Sequence, residues 1–428
     1  MSKHVPKNIV KVVYRYPRFK KNITLTRNDV LKIAHPPFES ATPAMVDKIV
    51  QDHLDSGKSW KDLPIEYQTY AHRLLRHKAY RSGNMKRLGL DVGTKNIVLA
   101  YKDAENVLKY RHEINGFFKL PREDNFAKNM LEQLGVPFVE SGDGKSLIAL
   151  GSKAEDIAYT FGKHLKRPME SGVISPHETN AMTILAVIIR SLLGKLEDDS
   201  IVYYSVPGQS VDKEVNVDYH IKIIREILNN YTGREGTKIQ SFPINEARSV
   251  VLSQIPDKTG IGISLGAGQV NIAYCLYGMS AYEFSIIGSG DKIDFESARV
   301  TGNLEKGEDG RDKPKVLVTK AKEATNLSAI PTDNLGRAIY LNYEIVLENV
   351  AKNIIRGFKE NEQKARAPKP MPIVCAGGTS MAPGFLEMFK RVFAKQSMPF
   401  EIGEITMAKN PFFAVSEGCL FASELHQI

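Results

Sequence analysis

At 428 residues, with 42% hydrophobic and 25% charged residues, the chain is long enough for more than one core and has ordinary globular composition. Its longest strongly apolar run, Ala181 to Leu193, contains Thr183, Arg190 and Ser191 and falls short of the roughly 20 residues a bilayer span needs, so it reads as a buried helix and no transmembrane segment is expected. The net charge of +9 is concentrated in residues 1–85, which hold 16 Lys/Arg against 7 Asp/Glu and leave the rest neutral.

A basic flank on a neutral body suits nucleic acid, an anionic membrane or an acidic protein partner; a solvated helical extension is the plainer alternative. Cys275, Cys375 and Cys419 are widely spaced with no metal-ligand rhythm. No charged-then-apolar leader opens the chain, so a reducing cytoplasm is the expected setting.

In chain order, residues 1–85 read as a strand-like start (Ile9 to Tyr16) followed by candidate helices at 47–54 and 66–77, with a break at Ser82-Gly83-Asn84. From Lys86 the pattern changes to short β-rich runs alternating with amphipathic helices, an α/β signature. An internal repeat organises the chain beyond this point. Leu88-Gly-Leu-Asp-Val-Gly-Thr-Lys-Asn-Ile-Val-Leu-Ala-Tyr101 lies without a gap over Ile261-Gly-Ile-Ser-Leu-Gly-Ala-Gly-Gln-Val-Asn-Ile-Ala-Tyr274. Gly89/Gly262, Gly93/Gly266, Ala100/Ala273 and Tyr101/Tyr274 coincide, and each copy reads as strand, glycine turn, strand. Two such hairpins far apart in the chain predict two related lobes.

Between them the pattern predicts a strand at 146–150, a helix at 180–193, a buried strand at 201–206, a helix at 219–231 with a 3.6-residue apolar stripe, and a strand at 238–242. Pro243-Ile244-Asn245 then leads into a helix near Glu246. After the second hairpin come an insert containing the charged loop Gly302 to Pro314, the strand Met371 to Ala376, and the turn Gly377-Gly378. Val139 to Ser146 is nearly a P-loop, but Val139 replaces the first glycine and no long helix comes immediately after it, so a hairpin turn is the better reading.

A triphosphate needs many donors at short range, and a turn without side chains lets backbone N–H groups reach its oxygens. At these residues the chain resembles the actin superfamily. Leu88 to Thr94 is similar to that family's first phosphate motif and Ile263 to Asn271 to its second. Val374-Cys-Ala-Gly-Gly-Thr-Ser-Met-Ala-Pro-Gly384 is similar to the adenosine motif, while Asn245 to Ser249 and Ala414 to Gly418 resemble the two connecting helices. Thr259 to Asn271, Ile244 to Ala247 and Tyr204-Ser-Val-Pro207 resemble most the magnetosome-organising bacterial actins. The 85-residue basic extension is not part of that pattern.

The resemblance implies a two-lobed α/β fold of the actin/Hsp70 ATPase (ribonuclease H-like) type, each lobe a mixed sheet flanked by helices. The first lobe would comprise 86–245 and 405–428, with an insert at about 113–175; the second would comprise 246–404, with an insert at about 290–355. It implies that ATP or ADP and Mg²⁺ bind in the cleft. Asp91 would hold Mg²⁺ through water, unless it merely caps its turn. Gly93, Thr94 and Lys95 would meet the β-phosphate, a solvated Lys95 being the alternative. Gly266, Ala267, Gly268 and Gln269 would form the opposing turn. Glu246 would orient or activate the attacking water, although glutamate is also simply favourable in a first helical turn. Gly377, Gly378, Thr379 and Met381 would line the adenine and ribose pocket. Lys322 and Glu323 match the nucleoside Lys-Glu pair, or an exposed helical pair.

Two departures bear on chemistry. Ser264 and Asn271 stand where the family has acidic residues, which implies weaker metal and water ordering and slow hydrolysis. The expected function is a nucleotide-gated cytoplasmic filament that assembles from copies of itself. A non-hydrolysing scaffold docking through the basic extension is the alternative. An Hsp70-like chaperone would need a substrate-binding region after Gly418, and a sugar or acetate kinase an acceptor-activating aspartate that the chain does not offer.

Overall fold

In a computed structural model, the two copies of the repeat become the leading hairpins of two five-stranded sheets. The structure describes residues 9–10, 25–26 and 87–426, apart from 123–124, 161–164, 195, 198, 232–237, 308–309 and 362–369. The chain divides into Met1–Lys86 and Arg87–Ile428. In the first unit Ile9–Val10 pairs antiparallel with Leu25–Thr26. The helices expected at 47–54 and 66–77, and the expected strand beyond Val10, lie outside the described residues.

The second unit opens with an antiparallel meander of β1 (Arg87–Val92), β2 (Asn96–Lys102) and β3 (Leu108–Ile114). An insert comes next, made of β4 (Phe117–Pro121), α1 (Phe126–Gln133), β5 (Phe138–Glu140), β6 (Ser146–Leu150) and α2 (Ser152–Thr160). Its strands form a small sheet ordered β4-β6-β5, and the P-loop-like run is the turn between the antiparallel β5 and β6. The short hairpin of β7 (Met169–Glu170) and β8 (Val173–Ile174) leads to α3 (Ala181–Leu193), β9 (Ile201–Val206), α4 (Val217–Asn229) and β10 (Gln240–Asn245). β9 runs parallel to both β1 and β10, giving the order β10-β9-β1-β2-β3.

Local chemistry accounts for the boundaries. Helix α4 starts two residues before its apolar stripe suggests, because the Asn216 side chain accepts a hydrogen bond from Tyr219 N and caps it. Strand β10 runs through Pro243 to Asn245 rather than stopping at Phe242. As an edge strand it tolerates a residue without an N–H.

Helix α5 (Glu246–Gln254) leads to β11 (Gly260–Leu265), β12 (Gln269–Leu276), β13 (Met279–Ile287) and α6 (Gly290–Val300). The charged segment expected to be a plain loop contains a small hairpin of β14 (Leu304–Lys306) and β15 (Asp312–Pro314). Then come α7 (Val316–Ala324), the long α8 (Asn334–Glu360) and β16 (Met371–Ala376). A 3₁₀ turn (Gly378–Met381), α9 (Phe385–Ala394), β17 (Ile402–Met407) and α10 (Ala414–Leu425) complete the described chain. The second sheet, β13-β12-β11-β16-β17, repeats the wiring of the first, with β16 parallel to β11 and β17. Register repeats too: Leu88 faces Tyr101 and Gly89 faces Ala100, as Ile261 faces Tyr274 and Gly262 faces Ala273.

Strand alternation assigns each repeat a dry face and a cleft face. Leu88, Leu90 and Val92 enter one core with α3 and α4, and Ile261, Ile263 and Leu265 enter the other with α8 and α9. The opposite face carries Gly89 and Asp91 in one copy and Gly262 and Ser264 in the other. Those faces are covered by exchanged helices: α5, which succeeds the first sheet, packs on β11 and β12, while α10, which succeeds the second, packs on β1 and β9. A Cβ on Gly262 would lie 2.1 Å from Ala247 O, and one on Gly89 2.1 Å from Ser416 O. The two helices also touch each other: a Cβ on Gly418 would lie 1.9 Å from Ser249 O, and Ser253 Oγ donates to Ala414 O at 2.9 Å. Overpacking against backbone costs about 1–3 kcal/mol or more. Gly418→Ala is therefore expected to lower the unfolding free energy from urea denaturation by at least that amount, whereas Gly142→Ala, with nothing within 4 Å of its added Cβ, is expected to be neutral.

Candidate functional site

Two carboxylates lie deep in the cleft, each held by the fold. Asp91 is on the cleft face of β1, next to Ser205 of β9. Val92 N donates to Ser205 Oγ at 2.9 Å, and that hydroxyl donates to Asp91 Oδ1 at 2.8 Å. Burial raises the Asp91 carboxyl to about 6, against the opposing effect of the Ser205 hydrogen bond. Glu246 is the first residue of α5, placed there by Asn245, whose Oδ1 accepts from Ala247 N at 2.9 Å and Arg248 N at 3.1 Å. Asn271 Nδ2 at 2.9 Å and Ser264 Oγ at 3.3 Å both donate to Glu246 Oε2. Burial and the neighbouring Asp91 charge raise the Glu246 carboxyl to about 8, while those two hydrogen bonds pull the other way. Ser264 and Asn271, expected to mark missing metal and water ligands, thus also serve as donors to the remaining glutamate.

The glycine turns are closed in the same way. Gly93 N donates to Asn96 O and Gly266 N to Gln269 O, both at 3.0 Å. Asn115 ties down the first, with its N 2.8 Å from Lys95 O and its Nδ2 2.9 Å from Gly93 O. The start of α6 ties down the second, through Gly288 N to Gly268 O at 2.9 Å, Gly290 N to Gly266 O at 3.3 Å and Asp291 N to Ala267 O at 2.8 Å. The two tips face each other: a Cβ on Gly268 would lie 2.9 Å from Thr94 Oγ1 and 2.6 Å from Gly172 N in the β7–β8 turn. Gln269 is 3% exposed there, and neither its Oε1 nor its Nε2 has a hydrogen-bond partner among the described residues.

At the far end of the second turn, Gly377 adopts φ 96°, and a Cβ on it would lie 2.3 Å from Leu265 O, so the chain crosses β11 where only glycine fits. Thr379 Oγ1 donates to Gly266 O at 2.7 Å and Tyr343 OH to Thr379 O at 3.1 Å. Around Gly290 an added Cβ would lie 2.5 Å from Thr379 Oγ1, 3.2 Å from Lys322 Nζ and 3.5 Å from Ala267 Cα. Lys322 is buried, its ammonium shared between Gly290 O at 2.9 Å and Asp294 Oδ2 at 2.8 Å. Gly378 has open space where a side chain would be, and Met381 is 54% exposed.

Ion pairs span the lobes. Lys95 Nζ meets Glu323 Oε1 at 3.1 Å, and Arg167 Nη1 meets both Asp291 oxygens at 2.9 Å. The structure therefore brings the first turn, the second turn, Lys322, Glu323 and Thr379 around one cleft, with Asp91 and Glu246 on its covered face. Sequence reasoning missed Asn115, Arg167, Asp291 and Asp294. Arg167 and Asp291 are separated by 124 positions, and no local pattern announces such a pair. Ser205 lies in the Tyr204 to Pro207 run already noted, but nothing there marked its hydroxyl as the partner of Asp91.

Among the described residues no group of three or more His, Cys, Asp or Glu could hold a metal by itself. A hard cation here would find Asp91 and, for its remaining positions, oxygens of a ligand and water. The donor set fits such a cation, because both cleft carboxyls are raised by burial and each lacks a cationic partner in its hydrogen bonding. A carboxyl raised on folding binds more protons when folded, so its contribution to stability falls as pH rises from its unfolded value to its folded one, here up to about 8 for Glu246. Cofactor-free protein should therefore gain stability on Glu246→Gln at about pH 8.5 but not at about pH 4.5, a difference of a few degrees in melting temperature at roughly 2–4 °C per kcal/mol.

No helix among the described residues is long and apolar enough to cross a membrane. The family model "Volactin" matches residues 85–423. No curated protein matches the chain. Among solved structures, the MamK double helical filament superposes with a TM-score of 0.57 at 16% identity, covering 79% of this chain and 99% of that one. The archaeal actin homologue Ta0583 superposes with a TM-score of 0.51 at 16% identity, covering 80% and 100%. MreB5 of Spiroplasma citri bound to AMPPNP gives 0.50 at 15% identity, covering 78% and 94%. These likenesses give the fold: an actin-like ATPase fold of the prokaryotic type.

Proposed function

Because the chain belongs to the volactin family and has the actin-like fold, we propose that it binds Mg-ATP between its lobes, hydrolyses it slowly, and assembles with copies of itself into cytoplasmic filaments that scaffold or position a cargo. The observation that carries this reading is the meeting of two side-chain-poor turns, Gly93-Thr94-Lys95 and Gly266-Ala267-Gly268, across one cleft. Apart from Gly93 N and Gly266 N, which close their own turns, their backbone N–H groups are suited to phosphate oxygens, and the unpaired Gln269 amide between them offers one more donor. Gly377, Gly378, Thr379 and Met381 would line the nucleoside end together with Lys322 and Glu323.

Bound Mg²⁺ would supply positive charge that lets both cleft carboxyls ionise at neutral pH. Asp91, held by Ser205, would hold the cation through water. Glu246 accepts the proton of the water that attacks the terminal phosphorus as the bond to the ADP oxygen breaks. The presence of two carboxylates rather than four in this neighbourhood supports slow turnover. It also sustains a second reading, a scaffold that binds nucleotide without cleaving it.

Closing the cleft couples nucleotide to assembly. Lys95–Glu323, Arg167–Asp291 and the stacking of Lys320 on Tyr159 at 5.1 Å all run from one lobe to the other, so they fix the angle at which both lobes meet a neighbour. Two proteins of similar fold show the two properties separately: one is a filament and another holds AMPPNP. The basic residues 1–85 would dock an acidic protein, an anionic membrane or nucleic acid.

Sedimentation and negative-stain microscopy test the reading. Filaments are expected with ATP and Mg²⁺, with phosphate release lagging assembly. Glu246→Ala is expected to bind ATP and assemble while releasing phosphate about 100-fold more slowly, the scale of a lost general base. Filaments with no phosphate release from the parent protein would favour the non-hydrolysing scaffold, and no ATP uptake at millimolar concentration would remove both readings.

A further inference from the structure

The Ser205-Val-Pro-Gly208 segment bonds to Asp91 directly and reaches Glu246 through Asn271. At one end Ser205 Oγ donates to Asp91 Oδ1 at 2.8 Å. At the other, Gly208 N donates to Asn271 Oδ1 at 2.9 Å, and Asn271 Nδ2 donates to Glu246 Oε2 at 2.9 Å. The first of these bonds fixes the sense of the second. With Oδ1 accepting from a backbone N–H, the amide is locked so that its NH₂ faces the carboxylate.

The segment is itself anchored on the second lobe. Gly208 has no room for a side chain, since a Cβ would lie 2.7 Å from Phe284 C. Ser285 Oγ donates to Gly208 O at 2.9 Å, Ser285 N to Gln209 O at 2.8 Å, and Val211 N to Ser285 O at 3.0 Å. Leaving β9 of the first lobe, the chain thus docks along the edge of β13 in the second. Asn271, with no exposed surface, sits on β12 between Ser264 and Ser285 in the ladder. Both donors to Glu246 act on Oε2, and Oε1 has no hydrogen bond from the described residues. One carboxylate oxygen is held by the fold and the other is left for a ligand.

We propose that the Ser205–Gly208 segment is a spacer that sets the separation of Asp91 and Glu246, and that Asn271 is the positioning residue that transmits it to Glu246. An aspartate at position 271 would accept from Gly208 N equally well, but it would present a second carboxylate to Glu246 instead of a donor. The amide is therefore required by this arrangement, in which a single glutamate must be aimed without a third negative charge nearby. The inference rests on the proposed hydrolysis of ATP.

The test is a pair of substitutions in the full-length protein, read by phosphate release, ATP affinity and melting temperature. Asn271→Asp is expected to lower kcat about tenfold or more while leaving the ATP Kd within about twofold, since residue 271 aims the base and does not hold the nucleotide. Glu246→Gln combined with Asn271→Asp restores a donor-acceptor pair with its direction reversed. Its melting temperature is expected to exceed the sum of the two single effects, while phosphate release stays as low as in Glu246→Gln alone. Additive melting temperatures, or normal kcat in Asn271→Asp, would overturn the proposal. Should Asn271→Asp fail to fold, Ser264→Ala removes the longer of the two donors and is read in its place; a loss of about threefold in kcat at unchanged Kd supports the aim of Oε2, and unchanged kcat overturns it. A parent protein that takes up ATP without releasing phosphate removes the hydrolysis reading together with this inference. A parent that turns over ATP alongside an equally active Asn271→Asp removes this inference alone.

Discussion

Backbone-to-backbone contact between the exchanged helices is the constraint on which the rest of the second unit depends. α5 and α10 each leave one sheet and cover the other, and they cross where Gly418 meets Ser249. Gly89 and Gly262 let the helices seat against the central strands with no intervening side chain. Because those strands also carry Asp91 and Ser264 on the same face, the seating of each helix sets the depth of the cleft. Glu246 heads α5, so the helix that joins the lobes also delivers a carboxylate to their meeting point.

This packing explains why the cleft can hold charge. Leu88, Leu90 and Val92 are drawn into one core and Ile261, Ile263 and Leu265 into the other, leaving the polar positions of both strands no direction but the cleft. Burial, joined at Glu246 by the charge of Asp91, holds both acids above their ordinary range, and the hydroxyl and amide donors around them offset it only in part. The cations stand further out, Arg167 with Asp291, Lys95 with Glu323 and Lys322 with Asp294. The first two of these pairs run between the lobes, while Lys322–Asp294 is buried within the second.

The duplicated hairpin was legible because its signal is short-range: glycine at two fixed places, apolar residues between them, and a tyrosine at the end. The same holds for β9, whose apolar run is buried on both faces, and for α3, which ends at Gly194. Less legible were features set by distant partners. Pro243 suggested the end of a strand, and only its edge position in the sheet lets β10 continue. The segment from Gly302 to Pro314 is rich in charge and glycine, and its pairing of Leu304 with Pro314 leaves no periodicity to read. Ser264 and Asn271 could be seen as departures from a family pattern, but their shared acceptor Oε2 depends on α5 lying across β11 and β12. The three cysteines, whose spacing showed no metal-ligand rhythm, are free and buried, with burial pushing the Cys275 thiol up to about 12.

The exchange of helices also governs the order in which the molecule can be finished during synthesis. A ribosome makes β1 early and α10 last, yet α10 is the element that closes the open face of β1 around Gly89. The first sheet must therefore wait, half covered, for more than three hundred further residues, a separation set by Gly89 and Ser416. During that interval its apolar flank is available to chaperones or to a sister chain. The covering of the first sheet is therefore complete only once α10 has emerged, so the fold of the second unit ties its earliest strand to its last described helix.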